Sequence, residues 1–423
     1  MDLFYDPADL AVLRDPHALF ARLRAEDPVH WSPKLSGWVV TTHELCGRVL
    51  ADADFSSDRL TPFFKRTAEA ERSTLSEIMR YISLWMVFRN PPEHTRLRRL
   101  LNKAVNPNVV AGMEPQIASV VNMLLDKIDE DHEFDFMADF AIQLPAMVIM
   151  DMMGIPRDKL HEVKLWSDDL INFVGSPRSV VDKYERARSG LVAMVDYFGG
   201  LVAQRRVAPK DDILSYLIST SDDQGMMTDD EIVASAILLL FAGHETTTNL
   251  LGNALLALAG RPDQVQLLRV DGTVMTTAIE EFLRYDGPVL SITRVAAVTH
   301  EFGGKQIKEN DRVFAMLIAA NRDPAVFPDP NDLDLTRSPN RHIGFGRGIH
   351  FCLGAPLARL EAKIALTEIF RRHRSFCVMK RPEELTWVDA MVMRGVRGLP
   401  IRFERSVSRP LRPKATTAAA LPA

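Results

Sequence analysis

The chain has 423 residues, 47% hydrophobic and 25% charged, an ordinary globular composition with length enough to enclose an internal ligand. A formal charge of -5 excludes nucleic-acid binding over the surface as a whole. Three widely spaced cysteines, Cys46, Cys352 and Cys377, exclude a disulfide framework and fit a reducing compartment.

The opening segment MDLFYDPADLAVLRDPHALF has no basic region followed by an apolar run, so no signal peptide is expected and a cytoplasmic location is. From Pro16, PHALFARLRAEDP predicts a helix that stops at Pro28, and GWVVTT predicts a short strand pair. Residues 58–90 read as loop and short helices ending in the apolar run SLWMVF. PPEHTRLRRLLNKAV predicts a helix opened by proline at its first turn.

The strongest helical signal is TDDEIVASAILLLFAGHETTTNLLGNALLALAG. Thr228 and Glu231 form a capping box, Asp229 and Asp230 suit the positive end of the dipole, and Gly260 with Pro262 ends the element. At ~1.5 Å per residue it is about 50 Å long, so a largely apolar helix is expected through the middle of the protein. His244 and Glu245 interrupt its apolar run before that run is long enough to cross a bilayer, so no membrane association is expected. Near residues 294–318, TRVAAVT and DRVFAMLIAA read as short strands. The tail from 405 to 423 is low in complexity and is expected to be disordered. No internal repeat occurs. The expected fold is mainly α with small β-sheets, in a single domain over residues 1–404.

Three segments carry candidate chemistry. AGHETT puts glycine and an acid in mid-helix, where both cost stability. A zinc-protease motif needs a second histidine at position 248, which is Thr248. Two readings stay open: a kink whose hydroxyls bond back to the preceding turn, or an acid–alcohol pair at a widened turn that relays protons. EEFLRYDGP places Glu281 and Arg284 three apart, which in isolation is a solvated ion pair. GFGRGIHFCLG surrounds Cys352 with glycines just ahead of the helical stretch APLARLEAKIAL. A structural zinc site needs more ligands than the neighbouring His350. A nucleophilic cysteine needs a base and an oxyanion hole that the sequence does not locate. Inert burial remains open, as does a thiolate held by helix N–H groups, a soft ligand suited to haem iron.

FGRGIHFCLGAPLA resembles the haem-binding loop of the cytochrome P450 family. AGHETT is similar to that family's oxygen-activating helix, Glu281-Phe282-Leu283-Arg284 to its E-x-x-R element, and PPEHTRLRR to the helix beside the haem in bacterial members. All four occur in family order, over roughly residues 10–404. The resemblance implies a bacterial soluble haem-thiolate monooxygenase, with haem b between the long helix and the cysteine loop with its following helix. It makes Cys352 the metal ligand, puts His94, Arg98, Arg294 and His350 on the propionates, and sets Phe345 and Gly354 against the haem. It makes Glu245 and Thr246 catalytic, and joins Glu281 and Arg284 to Arg337 in a structural network; Leu335 stands where many members have phenylalanine.

The implied activity inserts one atom of O2 into a hydrophobic small molecule. Its electrons come from NAD(P)H through a ferredoxin and its reductase, and the protein works as a monomer. A peroxide-driven peroxygenase would not need Glu245 and Thr246, and a haem sensor or electron carrier would need no substrate cavity. Arg98, Arg99, Lys103, Arg347, Arg359 and Lys363 are expected to form a local basic face for the electron donor. The expected substrate lining is Trp85, Met86 and Val87, then Leu238, Phe241 and Ala242, then Leu290, Ile292, Val392 and Met393.

Overall fold

Thr228 fixes the start of the helix around which the other elements are arranged. Its hydroxyl accepts from the Glu231 amide at 3.2 Å, and the Glu231 carboxylate accepts from the Thr228 amide at 2.9 Å. The computed structural model, which describes residues 3–128, 132–175, 182–222 and 225–405, runs this helix unbroken from Asp229 to Leu258. Buried residues lie all round it, as expected of an element that crosses the interior.

Two glycines let neighbouring chain approach this axis closely. A Cβ on Gly243 would come within 3.2 Å of Ile149, and one on Gly252 within 2.6 Å of the Met137 sulfur. Those neighbours sit on the helix Gln143–Met152 and on a π-helical turn, Met137–Ala141. Thr248 Oγ1 ties the turn down by donating to the Ala141 carbonyl at 2.9 Å. The widened turn considered at AGHETT is therefore not there; the widening occurs in the segment packed against it.

Helices His17–Glu26 and Glu93–Ala104 lie where prolines and apolar spacing predict them. Within 58–90, Glu69–Ile82 forms a 14-residue helix, longer than expected. Leu75, Ile78 and Ile82 supply its buried stripe at helical spacing. Helix Ala355–Arg372 starts directly after the cysteine loop.

The larger sheet contains β1 (Val29–Ser32), β2 (Gly37–Val40), β3 (Phe55–Ser56), β4 (Ser291–Ala296) and β5 (Arg312–Met316), in the order β1-β2-β5-β4-β3. Only β2 and β5 pair in parallel. The stretch DRVFAMLIAA is strand only as far as Met316, after which Leu317–Ala320 forms a helical turn. A short buried apolar run fits either period, so the sequence does not mark that switch. A second sheet joins Phe134–Asp135, His373–Val378 and Pro400–Arg405. The proposed tail thus begins inside a strand at Arg405, and 406–423 lie outside the described residues. Among the described residues no helix is long and apolar enough to cross a membrane.

Candidate active site

The loop before Ala355 is shaped by its own backbone. Cys352 N–H donates to the Phe345 carbonyl at 2.9 Å, and Gly346 N–H to that of Ile343 at 2.9 Å. Gly346 and Gly348 take φ of 73° and 71°, the left-handed region that side chains disfavour. A Cβ at Gly348 would also press within 3.2 Å of the backbone of Leu50 and Ala51. At Gly354 a Cβ would meet nothing within 4 Å, because this glycine faces a cavity. Burial pushes the Cys352 thiol above its ordinary range, against the Gly354 amide, the Arg98 and Arg359 charges and the Ala355 amide, which favour thiolate.

A paired ionic frame holds the far side of the loop. Arg284 makes a bidentate contact with Glu281, both bonds at 2.7 Å, and donates to the carbonyls of Asn321, Pro330 and Asp332. The Glu281 carboxylate also accepts from Arg337, from Asn340 and from the Asp334 amide. Glu281 and Arg284 are fully buried, so the i, i+3 pair is no surface feature.

Two adjoining chambers, each about 280 Å³, lie between this loop and the central helix. The lower one touches Cys352, Phe345, Gly354, Arg98 and Met86, facing Gly243, Thr246 and Thr247. The upper one is walled by Trp85, Phe88, Phe241, Glu245, Val392 and Met393, with Arg59, Arg294 and His350 on it. Val87, Leu238, Ala242, Thr246, Ile292 and His350 border both.

Leu290 does not belong to this lining. Its neighbours Val289 and Ser291 line the upper chamber, as do Ile292 and Arg294 further along. Leu290 instead packs with Tyr5, Phe20 and Phe314 under the N-terminal segment.

The cations on these walls have no acids to match them. Among the described residues no carboxylate lies within ion-pair reach of Arg59, Arg98 or Arg294; Arg98 donates to the Phe351 carbonyl at 2.7 Å. His94 lies just behind the wall, its ring centroid 4.1 Å from that of His350 and both its nitrogens without a partner. Burial, then Arg98 and Arg294, lowers the His94 pKa. Burial, then Arg294, His94, Arg98 and Arg59, pulls His350 down to about 3. Burial alone brings Arg59 down to about 10, and burial with repulsion from Arg59 does the same to Arg294. Arg294 is buried and Arg59 and Arg98 half-buried, and guanidinium groups so placed without acids call for a bound anion. Together with the half-buried Cys352 thiol and the open cradle at Gly354, they fit a haem with its two carboxylates.

On the opposite wall, Thr246 Oγ1 donates back to the Ala242 carbonyl at 3.3 Å, a long bond that a water could replace. His244 Nδ1 lies 2.7 Å from the Leu240 carbonyl. A carbonyl only accepts, so Nδ1 carries the hydrogen. Nε2, the other nitrogen, lies 3.4 Å from Glu245 Oε1 without a well-formed hydrogen bond. Burial pushes the Glu245 carboxyl up, but His244, Lys164 and Arg397 outweigh it and leave its pKa below the usual value.

The basic face is smaller than expected. Arg98 turns inward to the lower chamber, and Arg359 pairs with Glu280 at 2.6 Å while covering the Phe345 ring. Lys103, Arg347 and Lys363 are exposed, as are Ile349 and Phe351. Arg59, Phe88 and Val289 were not marked by any motif. Arg59 follows an ordinary turn sequence, and only the tertiary fold carries it to the chamber.

Residues 59–395 match the family model described as Cytochrome P450. Cytochrome P450 107B1 of Saccharopolyspora erythraea is 37% identical over 93% of this chain and 96% of its own length. The vitamin D(3) 25-hydroxylase of Pseudonocardia autotrophica is 34% identical over 92% and 94%. The crystal structure of P450BioI, solved in complex with an acyl carrier protein ligated to hexadec-9Z-enoic acid, superposes with a TM-score of 0.85 at 33% identity, over 93% and 99% of the two chains. Such relatives use a haem-thiolate cofactor, small-molecule substrates and redox partners. A thiol loop, an E-x-x-R frame and an acid–alcohol helix around one cavity, with likeness over nearly the whole length, make the chain a monooxygenase of the cytochrome P450 family.

Proposed function

We propose that the protein hydroxylates a hydrophobic small molecule bound in the upper chamber, using haem b in the lower one. The observation that carries this reading is a pair of adjoining chambers with the half-buried Cys352 thiol and acid-free arginines on their walls, facing Thr246. When bound, the haem supplies the activation of O2. Cys352 holds the iron as thiolate, its charge steadied by the Gly354 and Ala355 amides and by Arg98 and Arg359. Arg98 and Arg294, with His94 and His350, hold the two propionates, and Phe345 shields the sulfur. Thr246 positions the water that delivers a proton, and Glu245 with His244 replenishes it.

Trp85, Phe241, Leu238, Val392 and Met393 exclude water and orient an apolar skeleton. Relatives named for vitamin D(3) hydroxylation, or solved with a fatty acyl carrier protein, support an apolar substrate class. Electrons come from a ferredoxin that docks on Lys103, Arg347 and Lys363 around Ile349 and Phe351. We propose a cytoplasmic monomer with residues 1–404 as one domain. The relay on the chamber wall favours O2 over a peroxide-only cycle.

Carbon monoxide added to the reduced holoprotein should give the red-shifted Soret band of thiolate-ligated haem. Cys352→Ser should lose that band, whereas Cys46→Ser and Cys377→Ser keep it. A band that survives Cys352→Ser removes the ligand assignment.

A further inference from the structure

Arg59 has no place in the machinery above. Its guanidinium lies 4.7 Å over the Phe88 ring and donates to the Thr293 carbonyl at a long 3.4 Å. Like Arg294, it borders the upper chamber and not the lower one. No carboxylate among the described residues reaches it, and Arg294 nearby repels it.

A charge count separates it from the haem-binding set. Arg98, Arg294 and Arg59 supply three permanent positive charges, and a haem brings two propionates. A thiolate offsets the net charge of a ferric porphyrin core, so those terms cancel. One guanidinium remains unmatched on a mostly apolar chamber whose carboxylate, Glu245, lies outside its ion-pair reach, and an unpaired charge there is costly.

We propose that Arg59 is the anion subsite of the substrate chamber and that the substrate is an amphiphile with a carboxylate head and an apolar body. The inference rests on the reading of the upper chamber as the substrate site. Arg59 holds the head on the Arg294 side, stacked on Phe88, by a two-pronged guanidinium–carboxylate contact. Trp85, Phe241, Leu238 and Val392 then cover the body, and its far end is left facing Thr246. The head group sets the register, so the position that meets the oxidant depends on body length rather than on a shape match along the whole chain.

The test is an optical spin-state titration of the ferric holoprotein with dodecanoate and with methyl dodecanoate, in wild type, Arg59→Gln and Arg59→Lys. Wild type should bind the acid more tightly than the ester, with acid affinity falling as salt rises. Arg59→Gln should weaken the acid on the order of tenfold to a hundredfold and leave the ester unchanged. Arg59→Lys should recover part of the loss. Equal weakening of acid and ester, or equal affinity for both in wild type, overturns the proposal. Loss of haem per chain in Arg59→Gln also overturns it, by making Arg59 a propionate ligand. If neutral apolar compounds shift the spin state and the acid does not, the anion subsite is wrong and the chamber reading stands. If no compound of either kind does so, the chamber reading itself fails.

Discussion

The frame around Glu281 and the wall around Arg294 contain the same side-chain chemistry and treat it in opposite ways. In the frame every charge is answered: Arg284 donates five hydrogen bonds, and the Glu281 carboxylate accepts from two arginines, an asparagine and a backbone amide. On the wall, among the described residues, Arg59, Arg98 and Arg294 hydrogen-bond only to carbonyls, and the His94 nitrogens have no hydrogen-bond partner. Buried charge is stable only when paired, so the frame serves folding and the wall serves a ligand.

The strongest way to break this contrast is to remove one arginine from each region. Arg284→Met leaves Glu281 buried and the three carbonyls without donors, which should cost about 3–5 kcal/mol. Little soluble haem-containing protein should be recovered. Arg294→Met removes a charge that the protein alone does not satisfy. It should give folded protein by circular dichroism, with less haem per chain and faster haem loss. If both variants fail to fold to the same degree, the two regions do not differ in kind.

How much of this was legible in the sequence follows the same division. The cysteine loop and the capping box were readable because local backbone dictates them: Gly346 and Gly348 need positive φ, and Thr228 needs Glu231 three residues on. Glu281 and Arg284 were adjacent on one helical face, and only their burial had to come from the family resemblance. Arg359 was misjudged because its partner Glu280 lies 79 residues away. Leu290 was misplaced because the phase of an extended segment after Gly287 and Pro288 cannot be read from so few residues. Arg59 was missed altogether, since a lone arginine after a turn has no pattern to give it away.

The proton path sharpens the contrast at the opposite wall, where His244 Nε2 lies 3.4 Å from Glu245 Oε1 without closing a good hydrogen bond. Glu245→Gln should slow turnover roughly a hundredfold, the low end of the range for a positioned acid–base group. Thr246→Ala should leave substrate binding nearly intact and keep consuming NAD(P)H, with most of the electrons recovered as hydrogen peroxide. Thr247 is buried and borders only the lower chamber, so Thr247→Ala should stay coupled. Coupled turnover in Thr246→Ala, measured as product per NAD(P)H, would place the relay elsewhere.

The smallest expected effect concerns the one acid that departs from the paired frame. Glu361, on helix Ala355–Arg372, is buried, and its Oε2 has no hydrogen-bond partner. It does not border either chamber, so no ligand answers it. Burial raises its pKa well above the usual carboxylate value, and the folded protein keeps it protonated. Below the unfolded pKa both states carry the proton and nothing is lost. As pH rises past that value the unfolded chain releases its proton while the folded one retains it. Stability then falls by about 1.4 kcal/mol per pH unit until the folded pKa is reached. Glu361→Gln has no proton to retain, so it should match wild type below the unfolded pKa and exceed it increasingly as pH rises above that value. Urea midpoints at several pH values measure the difference directly. Parallel curves for the two proteins would mean that Glu361 is ionised in the fold, and that the frame contains an unpaired charge after all.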